Sequence, residues 1–227
     1  MILKKWEDLP EFMKVEEVEP YYRILERKKC SLAAKRIFDI IMAAFLLILF
    51  SPLMIFIALL IKFDSPGPAI YKQERVTQYG RKFKVYKFRT MINDADKIGS
   101  HVTTNNDSRI TKVGEKIRGA RIDEFPQLIN VLRGDMSFVG TRPEAVKYVE
   151  SYTKNMRATL LLPAGITSKA SIEYKDEAKL LEKADDIDLF YIEKILPEKM
   201  RYNLDSIEKF SIIEEVKVLF KTVAAVL

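Results

Sequence analysis

From Ile37 to Ile61 the chain reads IFDIIMAAFLLILFSPLMIFIALLI, an apolar run with one charge, Asp39, near its start. About 20 consecutive apolar residues suffice to cross the hydrocarbon of a bilayer. Soluble cores rarely hold so long an uninterrupted run, so this segment ties the fold to a membrane. It begins too late and runs too long for a cleavable signal peptide, and it lacks a small-residue cleavage site. Near its centre stands Ser51-Pro52, where proline removes a helical N–H and crowds the preceding turn. The Ser51 hydroxyl is placed to satisfy backbone freed there. Both flanks are basic: Arg23, Arg27, Lys28, Lys29, Lys35 and Arg36 before, and Lys62, Lys72, Arg75, Arg81 and Lys82 after. Basic residues mark the cytoplasmic side. A helix–break–helix that enters one leaflet and returns keeps both flanks there, whereas a kinked spanning helix does not. On residue physics alone the two stand level.

The remainder divides around this run. Residues 1–34 are charged, interrupted by Pro10 and Pro20 and dotted with aromatics, and read as a cytoplasmic arm with short helical pieces. Residues 35–62 form the membrane helix and 63–227 a cytoplasmic domain large enough to carry a catalytic site. After the turn chemistry of DSPGP, the alternation in KFKVYKF and the TQYG turn predict a β-hairpin over 69–88. Residues 92–108 read as a polar loop. Helical patterns follow over 112–120, 124–133, 143–160, 175–195 and 198–225. The last mixes Phe210, Ile213, Val216, Val218, Leu219 and Phe220 with Lys209, Lys217 and Lys221, which suits either a core-facing helix or one in the membrane interface. The expected class is α+β and mostly helical, with a membrane helix, either re-entrant or spanning, a small hairpin, and amphipathic helices that face the core or lie at the membrane interface.

A formal net charge of +6 points to an anionic partner, whether nucleic acid, a phosphorylated substrate or a membrane surface. One cysteine, Cys30, excludes an intrachain disulfide, and with one histidine, His101, a structural zinc site is excluded in practice. The metal such a chain suits is a hard, oxygen-liganded ion such as magnesium. In RGARIDEFPQL, residues 118–128, Asp123 and Glu124 stand side by side before Pro126. Locally this reads first as a helix start, with an acid at the cap and proline in the first turn. Around the pair lie Lys87, Arg89, Arg118 and Arg142, cations for a diphosphate beside carboxylates for magnesium. A helix dipole there would keep Asp123 ionised and suited to attack phosphorus. No GxxxxGK[ST] loop occurs, and with one histidine any general base is a carboxylate.

The ordered pieces KRIFDIIMAAFLLILFSP, SPGPAIYKQERV, KFKVYKFRTM, DSRITKVGEKIR, IDEFPQLINVLRGDMSFVGTRP and LPAGIT run from Lys35 to Thr167. In that order they resemble the monotopic phosphoglycosyl transferases, the bacterial sugar transferases. The resemblance implies transfer of a phosphosugar from a UDP-sugar to polyprenol (undecaprenyl) phosphate with release of UMP, the first membrane step of glycan assembly. It implies a re-entrant helix broken at Ser51-Pro52, and a monotopic protein on the cytoplasmic face of a bacterial inner membrane. Asp123 is then the nucleophile that carries the phosphosugar. Glu124 assists through the metal or by accepting a proton, magnesium sits at the pair, and Lys87, Arg118, Arg142 and also Arg89 contact phosphate. Its partners are the two substrates and membrane lipid, not nucleic acid. Thr141-Arg142-Pro143 replaces the family's Pro-Arg-Pro, and SKASIEYKDE follows LPAGIT where many members carry Gly-x-Ala-Gln-Val. The rival reading is a non-catalytic, membrane-anchored basic module that binds anionic lipid or nucleic acid.

Overall fold

A computed structural model describes residues 3–93, 95, 107–181 and 186–226. Most of the loop expected over 92–108, with His101, lies outside the described residues, as do residues 182–185. The helices are α1 (Glu19–Arg27), α2 (Lys29–Asp64), α3 (Lys112–Gly119), α4 (Gln127–Arg133), α5 (Val146–Glu150), α6 (Lys169–Glu173), α7 (Glu177–Leu181), α8 (Ile187–Phe190), α9 (Leu196–Glu208) and α10 (Ile212–Val226). Strands β1 (Ile70–Val76) and β2 (Lys82–Phe88) form the expected antiparallel hairpin, in register from Ile70 opposite Phe88 to Val76 opposite Lys82. Its turn takes Tyr79 and Gly80 at positive φ. A second pair, β3 (Met136–Val139) and β4 (Ala164–Thr167), is parallel. The fold is mostly helical with two small sheets, within the expected α+β class.

The apolar run is one helix from Lys29 to Asp64, longer than the expected 35–62, and it stays helical through Pro52. Where a break was expected, the structure has a repair. Proline withholds the N–H that would reach the Ile48 carbonyl, and the Ser51 hydroxyl donates to that carbonyl at 2.8 Å.

One face of α2 lies against the rest of the chain from end to end. Near its start Arg36 donates to the carbonyls of Val131 (2.6 Å) and Leu132 (2.9 Å) at the end of α4. Asp39, the charge within the apolar run, is buried and accepts from the Ser137 hydroxyl at 2.8 Å. Ala43, Leu46 and Leu47 join a cluster with Val85, Leu128, Val131 and Met136. The Phe50 ring lies 5.0 Å from that of Phe125. Ile57 and Ile61 pack on Phe88 and Ile117. At the far end Asp64 accepts from the Val113 amide at 3.1 Å. These contacts fall at spacings of three and four, one stripe of a helix. Facing away are Ile41, Phe45, Ile48 (76 % exposed), Leu49, Phe56, Leu59 and Phe63 (87 % exposed).

The N-terminal segment is not a detached arm. Leu3, Leu9, Met13, Val18, Tyr22 and Leu25 share the largest core cluster with Tyr152, Leu161, Leu196, Met200 and Phe210. Tyr22 donates to the Lys4 carbonyl at 3.0 Å, and Arg157 to that of Phe12 at 2.9 Å. Its short helical pieces are Trp6–Asp8, Glu11–Met13 and α1.

The β3–β4 pair sets up the site that follows. The Gly140 amide donates to the Thr167 carbonyl (3.0 Å), and the Gly165 amide to that of Thr141 (2.8 Å). The two backbones approach so closely that a Cβ on Gly140 would stand 2.6 Å from the Pro163 carbonyl oxygen, and one on Gly165 would overlap the Gly140 nitrogen. Two glycines therefore fix where the chain leaves β3 and delivers Arg142. Gly165→Ala is expected to lower stability by about 2 kcal/mol or more, because neither backbone can retreat without losing the pairing. A shift in the thermal unfolding midpoint of detergent-solubilised protein measures this, and an unchanged midpoint contradicts it.

Candidate active site

The Asp123–Glu124 pair lies in a single 3-10 turn, Ile122–Glu124, and not at the N-cap of α4. That position falls to Pro126, with no side chain capping the helix. A proline costs little there, since the N–H it lacks has no partner at a helix start, and Phe125 and Pro126 carry helical φ and ψ from the turn into α4. The expected capping role is therefore corrected. The turn is entered through Arg121, which holds φ 53 and ψ 21. This left-handed conformation costs a side-chain-bearing residue about 1–2 kcal/mol, and such outliers collect where surrounding structure dictates the backbone.

The two neighbouring acids stand in different electrostatic states. Glu124 Oε1 accepts from Lys87 Nζ at 2.9 Å and from Arg142 Nη2 at 2.6 Å. Burial pushes its carboxyl up, but Arg142 and Lys87 overwhelm that and hold it well below the usual carboxylate range. Its influence on Arg142 is reciprocal: Glu124 holds the guanidinium firmly protonated. Asp123 has no side-chain partner among the described residues. Burial raises its carboxyl above the ordinary aspartate value, the nearby Glu124 adds to this, and Lys87 and Arg118 oppose it. Desolvation is the largest of these influences at Asp123.

The structure thus brings Lys87, Glu124 and Arg142 into direct contact. Arg118 acts on Asp123 through charge alone. Arg89, expected among the phosphate contacts, is committed elsewhere. It is buried at the end of α2 and donates to the carbonyls of Pro66 (3.0 Å) and Ser65 (2.6 Å) and to the Ser65 hydroxyl (2.9 Å). Its planar fork closes a helix terminus whose last carbonyls have no donors of their own. Among the described residues no group of three His, Cys, Asp or Glu side chains could hold a metal ion. The free oxygens are those of Asp123 and Glu124 Oε2, a two-carboxylate set.

Two cavities meet at this cluster. One, of about 660 Å³, is polar and basic, lined by Arg75, Lys87, Arg121, Arg142, Tyr148 and Lys175 among others. The second, of about 340 Å³, is mainly apolar and lies between α2 and α10, against Leu46, Phe50, Phe125, Ile166, Ile172 and Val223. Arg121, Arg142, Ser171 and Lys175 line both, and Glu124 lines the apolar one. Of these, Arg75, Arg121, Tyr148 and Lys175 escape a reading of the sequence, since an isolated basic or aromatic residue has no local signature. An arrangement with an ionised carboxylate pinned between cations, an unpaired carboxylate beside it, a polar chamber and an apolar groove suits group transfer between a soluble anion and a lipid-borne one.

A family model described as bacterial sugar transferase matches residues 30–227. The chain is 38 % identical over 194 residues to a UDP-glucose:undecaprenyl-phosphate glucose-1-phosphate transferase of Escherichia coli (strain K12), covering 83 % of this chain and 39 % of that protein. It is 36 % identical over 196 residues to a UDP-N-acetylgalactosamine-undecaprenyl-phosphate N-acetylgalactosaminephosphotransferase of Aeromonas hydrophila, covering 85 % of this chain and 43 % of the other. A Caulobacter vibrioides protein, again named UDP-glucose:undecaprenyl-phosphate glucose-1-phosphate transferase, is 35 % identical over 196 residues, covering 85 % of this chain and 69 % of its own length. The chain thus spans less than half the length of the first two relatives.

The opposed terms at Glu124 can be separated. Replacing Arg142 with methionine leaves burial opposed only by Lys87, so the Glu124 titration midpoint is expected to rise by about one to three pH units. NMR titration of the labelled glutamate carboxyl reads this, and a midpoint that stays put contradicts the pairing.

Proposed function

The chain belongs to the bacterial sugar transferase family, and on that footing we propose that it moves a phosphosugar from a UDP-sugar to undecaprenyl phosphate. The observation that carries this reading is the meeting of the polar and apolar cavities at Arg121 and Arg142, with Lys87 on the polar side, Glu124 on the apolar side and Asp123 adjoining Glu124 in the same turn. The polar cavity, basic and open to phosphates, suits the nucleotide donor. The apolar groove, walled by the same helix that exposes Ile48 and Phe63, suits a polyprenyl chain arriving from the lipid.

In this reading Asp123 is the nucleophile. Glu124 spends its charge on Lys87 and Arg142, whereas the Asp123 carboxylate has no competing partner. An Asp123 oxygen bonds to the sugar-bearing phosphorus as the bond to the bridging oxygen breaks, and UMP leaves with that electron pair. A phosphate oxygen of the acceptor then attacks the same phosphorus and displaces the Asp123 carboxylate, leaving a polyprenyl-diphosphate sugar. Both attacking groups are already ionised, so neither step needs a base. Glu124, held below the usual carboxylate range, is a poor proton acceptor, and its task is to position the two cations. Magnesium fits the free oxygens of Asp123 and Glu124, since this ion commonly takes one or two carboxylates and completes its shell with water and substrate phosphate. When bound it supplies neutralisation of the diphosphate.

With sugar-labelled UDP-sugar, magnesium and no acceptor, the protein is expected to release UMP and retain label covalently in equal amounts. Asp123→Asn is expected to reduce both by at least about a thousandfold. UMP release by Asp123→Asn at the wild-type rate overturns the reading and favours a non-catalytic basic module.

The same reading makes the protein monotopic on the cytoplasmic face of a bacterial inner membrane. A helix of 36 residues is about 54 Å long and exceeds the ~30 Å hydrocarbon core. Its start, middle and end all touch the same folded domain, which supports immersion by its outer face over passage to the far side. Exposed Cys30 reports one flank, and Lys62→Cys in a Cys30→Ser background reports the other. Both are expected to react with an impermeant maleimide only from the cytoplasmic side. Labelling from opposite sides establishes a span instead.

A further inference from the structure

Away from Lys87 and Arg142, the polar cavity has a second charged element that the proposed transfer leaves unused. Glu144, two residues after Arg142, is 9 % exposed and lines this cavity. Its Oε1 accepts the Tyr191 hydroxyl at 2.7 Å and lies 3.5 Å from Lys199 Nζ. Lys199, itself buried, donates to the Tyr191 oxygen at 2.8 Å and to Glu177 Oε2 at 2.9 Å. Burial first, and then Glu144, push the Tyr191 hydroxyl well above its ordinary value, so it remains a donor. The Tyr191 ring packs at a tilt against that of Tyr148, another lining residue, with ring centroids 4.5 Å apart. Tyr191 opens a π-helical turn, Tyr191–Ile195. Pro197 can offer no N–H to the Glu193 carbonyl four residues back, which loosens the ordinary ladder there.

All of this fixes one oxygen of Glu144. The other, Oε2, has no partner, yet it is not sealed away. Among the described residues the one fully shielded side-chain atom without a partner is Arg89 Nε. Oε2 therefore faces the cavity as an oriented acceptor. An ionised carboxylate only accepts, so its ligand must bring hydrogen-bond donors. Arg75 lines the same wall and interacts electrostatically with Glu144. A guanidinium beside a carboxylate offers donors and an acceptor together, which matches hydroxyl groups, each able to give one hydrogen bond and take another. A cation is disfavoured because Lys199 already fills that role.

We propose that Glu144, oriented by Tyr191 and Lys199, binds hydroxyl groups on a sugar ring of the nucleotide-sugar donor and so sets which donor the protein accepts. The inference rests on the polar cavity being the donor's site. Two rings carry such hydroxyls, the transferred sugar and the ribose. Binding distinguishes them without turnover. Calorimetry in the Asp123→Asn background, with and without Glu144→Gln, uses UDP-glucose, glucose 1-phosphate and UMP. Loss of one charge-assisted hydrogen bond is expected to weaken UDP-glucose about tenfold or more. A matching loss for glucose 1-phosphate with UMP unchanged assigns the contact to the transferred sugar. A matching loss for UMP assigns it to the ribose. Equal affinities with and without Glu144→Gln for all three overturn the proposal, whatever the UMP-release assay gives. If Glu144→Gln lowers the thermal midpoint, Tyr191→Phe carries the test. It keeps the carboxylate but frees its orientation, and a loss of about threefold or more for the same ligands is expected. Unchanged affinities in that variant overturn the proposal equally.

Discussion

Everything in this fold depends on how α2 divides its surface. An apolar helix of this length cannot be buried on all sides by a chain of this size, and it cannot stand in water. The structure resolves the conflict by seating one stripe on the domain and leaving the opposite stripe free for lipid. Polar groups on the inner stripe then have to be satisfied by the domain. Asp39 finds Ser137, Arg36 finds the carbonyls that end α4, and Asp64 finds the amide of Val113. A polar group buried without a partner is expensive, so these contacts also fix the register of α2 on α4, β3 and α3. The floor of the apolar groove, Leu46 and Phe50, inherits its position from that register.

A second consequence concerns charge. Two adjacent carboxylates in one short turn repel each other, and burial penalises both. The chain settles this asymmetrically. Glu124 receives two cations and stays ionised, while Asp123 receives only distant help from Lys87 and Arg118 and remains the less stabilised anion. An anion with few partners is a better nucleophile than one held between two cations, because less interaction is lost when it forms a bond. In the proposed transfer the asymmetry therefore assigns the roles.

Much of this was legible in the sequence, and the rest was not for identifiable reasons. The apolar run, the hairpin over 69–88 and the Asp–Glu pair with Lys87 and Arg142 all have strong local signatures: length, alternation and a dense cluster of charges. The strands β3 and β4 escaped because MSFV and AGIT are four residues each, too short for a period to show. The pattern over 143–160 became α5 and a 3-10 turn, and that over 198–225 divided at 209–211 into α9 and α10. Arg89 looked like its neighbours in KFRTM, yet the helix end it closes lies more than twenty residues away in the chain. The core contacts of residues 3–25 escaped for the same reason, since their partners follow residue 150.

The placement of Arg142 links these threads. It leaves a parallel strand pair whose two glycines permit no variation in backbone position, contacts Glu124, and lines both cavities. A transfer in two steps through one phosphorus requires the donor's phosphate and the acceptor's phosphate to occupy neighbouring positions in turn, each against positive charge. A flexible lysine could follow either substrate. A guanidinium locked to an ionised carboxylate stays in place while the two anions exchange. In the proposed reaction the Glu124–Arg142 pair is thus the fixed reference between water and lipid, and the rigidity of the Gly140–Gly165 crossing is what keeps it fixed.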